Sequence, residues 1–273
     1  MHFWKSLPLL LGLTLVTHGF AAPNLKTVGI YVGNNNFPGL RTNDLRGCIN
    51  DANQFANAFR LVLGNVEEHR LTNATLGTFT AEFQRAIARC RSGEIGRLIV
   101  TIASHGTAWP TPDGKSARQA IVFSDVNEAM SIGLLEDTTF RSLLDQIPAS
   151  VGVELLLDTC YSGGATRDLP EARAAQPWNP RYVAHPRFRP ELPLIKPRAI
   201  RSGGTEHRAE WAACSEKETA ADALLGGDWY GAFSYAWVRN FRLRRDQKRS
   251  ALLQAVQSEV TPTYRQSPQL LTR

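Results

Sequence analysis

Two stretches, RLIVTIASHG (97–106) and VELLLDTCYSGG (153–164), decide the fold. Each opens as an uninterrupted apolar run and stops abruptly at polar and small residues. A run that is apolar at every position is a strand buried on both faces, and such strands belong to parallel sheets covered by helices. The rest of the chain fits around them. KTVGIYVG (26–33) is a strand, and Ala52, Phe55, Ala56, Phe59 and Leu63 repeat at helical spacing within 50–63. A strand over 66–71 follows, then a helix over 78–91 with a threonine as N-cap and Gly93 as its stop. A helix over 138–146 separates the two deciding strands, 97–103 and 151–157. A strand over 210–214 and helices over 230–242 and 250–259 close the chain. The alternation predicts an α/β three-layer sandwich, a mostly parallel central sheet with helices on both faces.

In such sheets the functional crevice lies beyond the carboxyl ends of the strands. The residues there are Ser104-His105-Gly106 after one strand and Asp158-Thr159-Cys160 after the other. A thiol is mostly protonated at neutral pH, so an imidazole brought to it by a neighbouring strand can take its proton and yield a nucleophile. Gly106, Gly163 and Gly164 let a substrate backbone approach, and main-chain N–H groups could face the oxygen that becomes negative during acyl transfer. A His or a Cys alone at a strand end is usually structural; the pair at matching positions is what points to nucleophilic catalysis. Such a dyad needs no cofactor for its chemistry.

Composition narrows the remaining classes. Residues 1–21 read as a secretory signal peptide. Lys5 precedes an apolar run of about ten residues (7–16), half of the roughly 20 that span a bilayer. Gly19 and Ala21 then place small residues for cleavage before Ala22. An uncleaved anchor is the alternative. The mature domain, 22–273, is expected to be exported, periplasmic or secreted, with no membrane association after leader removal. The four cysteines, Cys48, Cys90, Cys160 and Cys214, are too dispersed for a disulfide scaffold or a paired-cysteine zinc site. Cys90 shares a helical stripe with Phe79, Phe83 and Ile87 and is a core residue; a disulfide among Cys48, Cys90 and Cys214 stays open.

The formal net charge is +6, concentrated in 165–207, a basic, proline-rich segment expected to be an exposed, extended loop. Its charges lie on no helix face and alternate with no stacking aromatics, which argues against nucleic acid as a partner.

Together, LIVTIASHG and VELLLDTCYSGG resemble the two catalytic motifs of the caspase and metacaspase superfamily of cysteine peptidases, including its bacterial orthocaspases. GIYVGNNNF with GCINDAN, AACSEKETAAD (212–222) and GAFSYAWVRNF (231–241) resemble other segments of that family in order. The resemblance implies a caspase-like fold, His105 and Cys160 as the dyad, and the N–H groups of Gly106 and Cys160 as the oxyanion hole. Caspases carry Q-A-C before the nucleophile; here it is Asp158-Thr159-Cys160. Asp158 and the Asp51 of Cys48-Ile49-Asn50-Asp51 would make a pocket for arginine or lysine, so the expected partners are proteins or peptides with basic residues. Asp51 could instead cap its helix. The resemblance also implies self-cleavage in the basic loop and calcium as an activator, with Asp125, Glu136, Asp137 and Asp168 as ligands. Glu136 and Asp137 would equally complement the following helix N-terminus. A legumain-like or gingipain-like peptidase and a catalytically silent binding module remain as alternatives.

Overall fold

The computed structural model describes residues 25–41, 44–160, 177–195, 208–216, 218–244 and 248–271. The predicted leader and Asp168 lie outside them. The strands, in chain order, are β1 (Lys26–Gly33), β2 (Glu67–Thr72), β3 (Ile95–Ala103), β4 (Gly106–Pro110), β5 (Ala117–Val122), β6 (Leu134–Glu136), β7 (Gly152–Asp158), β8 (Trp178–Pro180), β9 (Arg208–Ala212), β10 (Ala221–Leu225), β11 (Asp228–Gly231) and β12 (Gln269–Leu271). The helices are α1 (Cys48–Leu63), α2 (Leu76–Arg91), α3 (Asp137–Leu144), α4 (Ala232–Leu243) and α5 (Arg249–Tyr264). No helix among the described residues is long and apolar enough to cross a membrane.

The central sheet runs β12-β9-β7-β3-β1-β2, parallel throughout except for β12 at one edge. Its middle strands are the continuous apolar runs, because only residues with no polar face can be covered from both sides. Phe79, Phe83, Ile87 and Cys90 of α2 and Phe140 and Leu144 of α3 pack on one face. Phe55 and Phe59 of α1, Trp237 of α4 and Leu252 and Val256 of α5 pack on the other. The expected α/β sandwich is the observed one.

Two small antiparallel sheets escape the sequence reading. One is β4-β5-β6, inserted between β3 and α3; the other is β11-β10-β8. Their strands, such as GTAWP and LLE, are three to six residues long, too short for a period of two to stand out. The cap of α2 is Thr75, whose hydroxyl accepts from Thr78 N–H at 3.1 Å, so the helix begins earlier than expected. Gly93, with φ of +76°, ends it as expected.

The basic segment requires a larger correction. Far from being exposed throughout, it enters the molecule at 178–185, while most of 186–195 is exposed as expected. β8 pairs with β10, and Arg181, Tyr182, Val183 and His185 are all buried. Charge and proline content alone predict exposure; the buried carboxylates of Asp51, Asp158 and Asp222 reverse that at Arg181.

Candidate active site

Register explains how His105 and Cys160 come to the same end of the sheet. β3 and β7 are neighbouring parallel strands whose ladder ends at Ala103 opposite Asp158. Two residues further on along each strand stand His105 and Cys160. Both are buried, at 2% and 0% exposure, and the His105 ring packs on Phe37 with centroids 4.9 Å apart. The chain must turn tightly here: a Cβ on Gly106 would lie 2.0 Å from the Cys160 carbonyl oxygen, so only glycine fits. The Cys160 thiol donates to the Glu218 carbonyl at 2.9 Å.

The two amides proposed from the resemblance as an oxyanion hole converge on one atom. Gly106 N–H and Cys160 N–H both donate to the Arg181 carbonyl oxygen, at 3.0 and 3.3 Å. From that residue the fully buried side chain reaches into a pocket of three carboxylates. Arg181 Nη2 donates to Asp51 Oδ2 at 2.5 Å and to Asp222 Oδ1 at 2.9 Å, while Nη1 lies 3.1 Å from Asp158 Oδ2. Its backbone is held as well: Arg181 N–H donates to Ala220 O at 2.9 Å, and Val183 N–H to Gly106 O at 3.1 Å.

The structure brings Asp51 and Asp158 together as expected and adds Asp222. Asp51 does not cap its helix; it is fully buried, accepting from Arg181, Gly231 N–H and Gln54. Asp158 Oδ2 also accepts from the Ser234 hydroxyl at 2.5 Å. Burial pushes the Asp51 carboxyl up to about 7, with Arg181 opposing the shift and the neighbouring carboxylates adding to it. Burial raises Asp158 in the same way, against the same arginine. Three carboxylates facing one guanidinium leave a surplus of negative charge in a dry place, so a raised value is the physical expectation. Gly231 walls the pocket, since a Cβ there would lie 2.0 Å from Asp158 Oδ2. Cys48 is buried in an apolar cluster beside the pocket, and burial raises its thiol well above the usual range.

Asp222, Arg181, Gly231, Ser234 and Glu218 were missed as site residues. Asp222 ends the stretch AACSEKETAAD and was within reach of the sequence reading. Arg181 was visible only as one basic residue among several.

The described calcium candidates do not assemble a site. Asp125 accepts from Leu76 N–H at the start of α2. Glu136 holds Arg118 and Thr138, and Asp137 holds Arg141 within α3. Among the described residues no group of three His, Cys, Asp or Glu side chains could hold a metal ion. Asp125, Glu136 and Asp137 are thus each engaged by donors of the protein, and Asp168 lies outside the described residues.

The cysteines fall in separate places. Cys90 is in the core under α2, Cys48 beside the pocket, and Cys214 next to Cys160. No disulfide joins them.

Comparison with known proteins agrees over most of the chain. A family model described as the caspase domain matches residues 27–273. Metacaspase-1 of Coccidioides immitis is 25% identical over 274 residues, covering 83% of this chain and 57% of that protein. Metacaspase-2 of Arabidopsis thaliana is 25% identical over 231 residues, covering 80% and 53%. The chain thus spans little more than half the length of these relatives. Among solved structures, a protein of Geobacter sulfurreducens superposes with a TM-score of 0.65 at 16% identity, covering 90% of this chain and 92% of that one. Caspase-1 of Spodoptera frugiperda does so at 0.60 and 10%, covering 91% and 86%. At such identities the likeness is one of fold.

Proposed function

The chain belongs to the caspase-domain family, and from that premise we propose that it is a cysteine endopeptidase that cleaves after arginine or lysine and can cut itself at Arg181–Tyr182. One observation carries the reading: Arg181 lies with its carbonyl oxygen on the Gly106 and Cys160 amides and its guanidinium among Asp51, Asp158 and Asp222. That is how a substrate's arginine would lie before attack.

In the proposed reaction His105 accepts the Cys160 proton, and the thiolate adds to the arginine carbonyl carbon. Charge then develops on an oxygen already facing two N–H donors, and losing one such donor typically costs about 10²-fold or more in rate. His105 returns the proton to the departing amine, and a water deprotonated by the same imidazole hydrolyses the thioester. The substrate backbone on the amino side of the bond would add a strand to β10, as β8 does through Pro180 opposite Ala221 and Asn179 opposite Asp222. A carboxylate-lined pocket admits a guanidinium or ammonium group and repels aspartate.

The test is the fate of the purified full chain. Wild-type protein is expected to yield a fragment whose N-terminal residue is Tyr182, and Cys160→Ala none. Identical fragments from both proteins, or a cut after a residue that is not basic, would overturn the reading.

A further inference from the structure

β9 is the other neighbour of β7. Their parallel ladder ends with Leu157 opposite Ala212, and Ala213 N–H continues it by donating to Leu157 O at 2.9 Å. The chains emerging from these strands therefore run side by side, which brings Cys214 against Thr159 and Cys160. The Cys214 thiol lies 3.9 Å from Thr159 O. Both sulfurs address one atom: Cys160 Sγ is 2.9 Å and Cys214 Sγ 3.5 Å from the Glu218 carbonyl oxygen. The two thiols are also within hydrogen-bonding reach of each other, which, together with burial, raises Cys214. Adjacent strands in a sheet are about 4.8 Å apart, and disulfides join Cα atoms about 4.4–6.8 Å apart. The ladder, continued, sets Cys214 opposite Thr159, one residue from Cys160, and the shared Glu218 carbonyl brings the two sulfurs to one place. Cys214 is half-buried and lines a cavity of about 60 Å³ with Thr159, Ser215 and Glu216, room for a molecule little larger than water.

We propose that Cys160 and Cys214 form a reversible disulfide under hydrogen peroxide, a redox switch that takes the nucleophile out of service. Cys160, as thiolate, attacks one peroxide oxygen; the O–O bond breaks, water leaves, and the sulfur becomes a sulfenic acid. The Cys214 sulfur then attacks the Cys160 sulfur, the S–S bond forms, the S–O bond breaks and a second water leaves. Two thiols have lost two electrons and two protons, and peroxide has taken them up. A dithiol reductant reverses the step by exchange. Oxidation of a nucleophile without a partner thiol would instead continue to the irreversible sulfinic acid. Cys214 is thus a safeguard as well as a brake.

The inference rests on the peptidase reading only for its effect on activity, and the decisive readout does not depend on activity. Full-length protein treated with hydrogen peroxide is digested without reduction and mapped by mass spectrometry. A Cys160–Cys214 cross-linked peptide is expected as the main product. Arginyl-peptide cleavage is expected to fall at least tenfold and to return with dithiothreitol. In Cys214→Ser and Cys214→Ala, prolonged excess peroxide should carry Cys160 past the sulfenic acid and leave a larger loss that dithiothreitol does not reverse, while Cys90→Ser should behave as wild type. Wild-type protein that keeps Cys160 and Cys214 unlinked after peroxide overturns the proposal, whether or not the variants fold. So does a dithiothreitol-reversible fraction after prolonged excess peroxide that is as large in folded Cys214→Ser as in wild type, since there the sulfenic acid has no thiol to trap it. A cross-link in protein with no peptidase activity would support the disulfide and count against the peptidase reading alone.

Discussion

Arg89 and Arg181 are each surrounded by carboxylates, and their surroundings behave in opposite ways. Arg89, at the amino-terminal end of the sheet, bonds Glu67 and Glu94 in contact with water. Arg181 bonds Asp51, Asp158 and Asp222 out of contact with it. Hydrogen bonds from Arg89, and for Glu67 from His69 as well, hold Glu67 and Glu94 down at about 2, whereas burial drives Asp51 up to about 7 despite its own arginine. The chemistry of the partners is alike, and water decides the sign. A surface cluster of this kind contributes little net stability. A buried surplus of carboxylates costs stability and suits a site that must accept a cation from elsewhere. Under the proposed function, the same contrast separates a structural ion pair from a pocket for a basic side chain.

The contrast can be sharpened by substitution. Asp158→Asn leaves the guanidinium of a bound arginine under-paired in a dry pocket and should lower kcat/KM for arginyl peptides by about 10²-fold. Glu67→Gln should leave that value unchanged. Arg181→Ala should raise the cleavage of added arginyl peptides several-fold, because the internal occupant is gone, and should abolish the fragment beginning at Tyr182. If added substrate is cleaved no faster, Arg181 does not compete for the pocket.

Acidity separates the two clusters next. Folded Asp51 keeps its proton to about pH 7, against an unfolded value of about 3.9. The folded chain therefore binds more protons in that window, and stability should fall as pH rises from about 4 to about 7. Glu67 and Glu94 are lowered from about 4.3, so their contribution should be full above that pH and be lost as pH falls toward 2. Urea midpoints against pH should show Asp51→Asn flattening the first slope and Glu67→Gln flattening only the second. Equal effects of both variants on the first slope would erase the distinction. The smallest effect expected is the loss of stability in Glu67→Gln at neutral pH, under about 1 kcal/mol.

What the sequence disclosed follows the same line between local and assembled features. The central strands, both helical faces and the strand-end positions of His105 and Cys160 are written locally, in the apolar runs and their abrupt ends at Ser104-His105-Gly106 and Asp158-Thr159-Cys160. The three-residue strands of the small sheets carry too few residues to declare a period. Arg181 is hidden for a different reason: its burial depends on Asp51, Asp158 and Asp222, which come from α1, β7 and β10 and meet only when the chain is folded. Asp51 and Asp158 were legible as a pair through the resemblance of their motifs, and Asp222, inside a stretch quoted for the same resemblance, was not taken as a site residue. Nothing in the linear pattern announces that Cys214 stands beside Cys160; the strand order β3-β7-β9 does.

The central claim is that the carboxylate pocket beside Cys160 receives a basic side chain for cleavage. Its most direct test is kcat/KM for fluorogenic peptides that differ only in Arg, Lys, Asn or Asp at the scissile position, measured on the Arg181→Ala protein with Cys160→Ala as the blank. The account predicts turnover of the arginyl and lysyl peptides and none above the blank for the aspartyl one. Cleavage of the aspartyl peptide with none after arginine would contradict it.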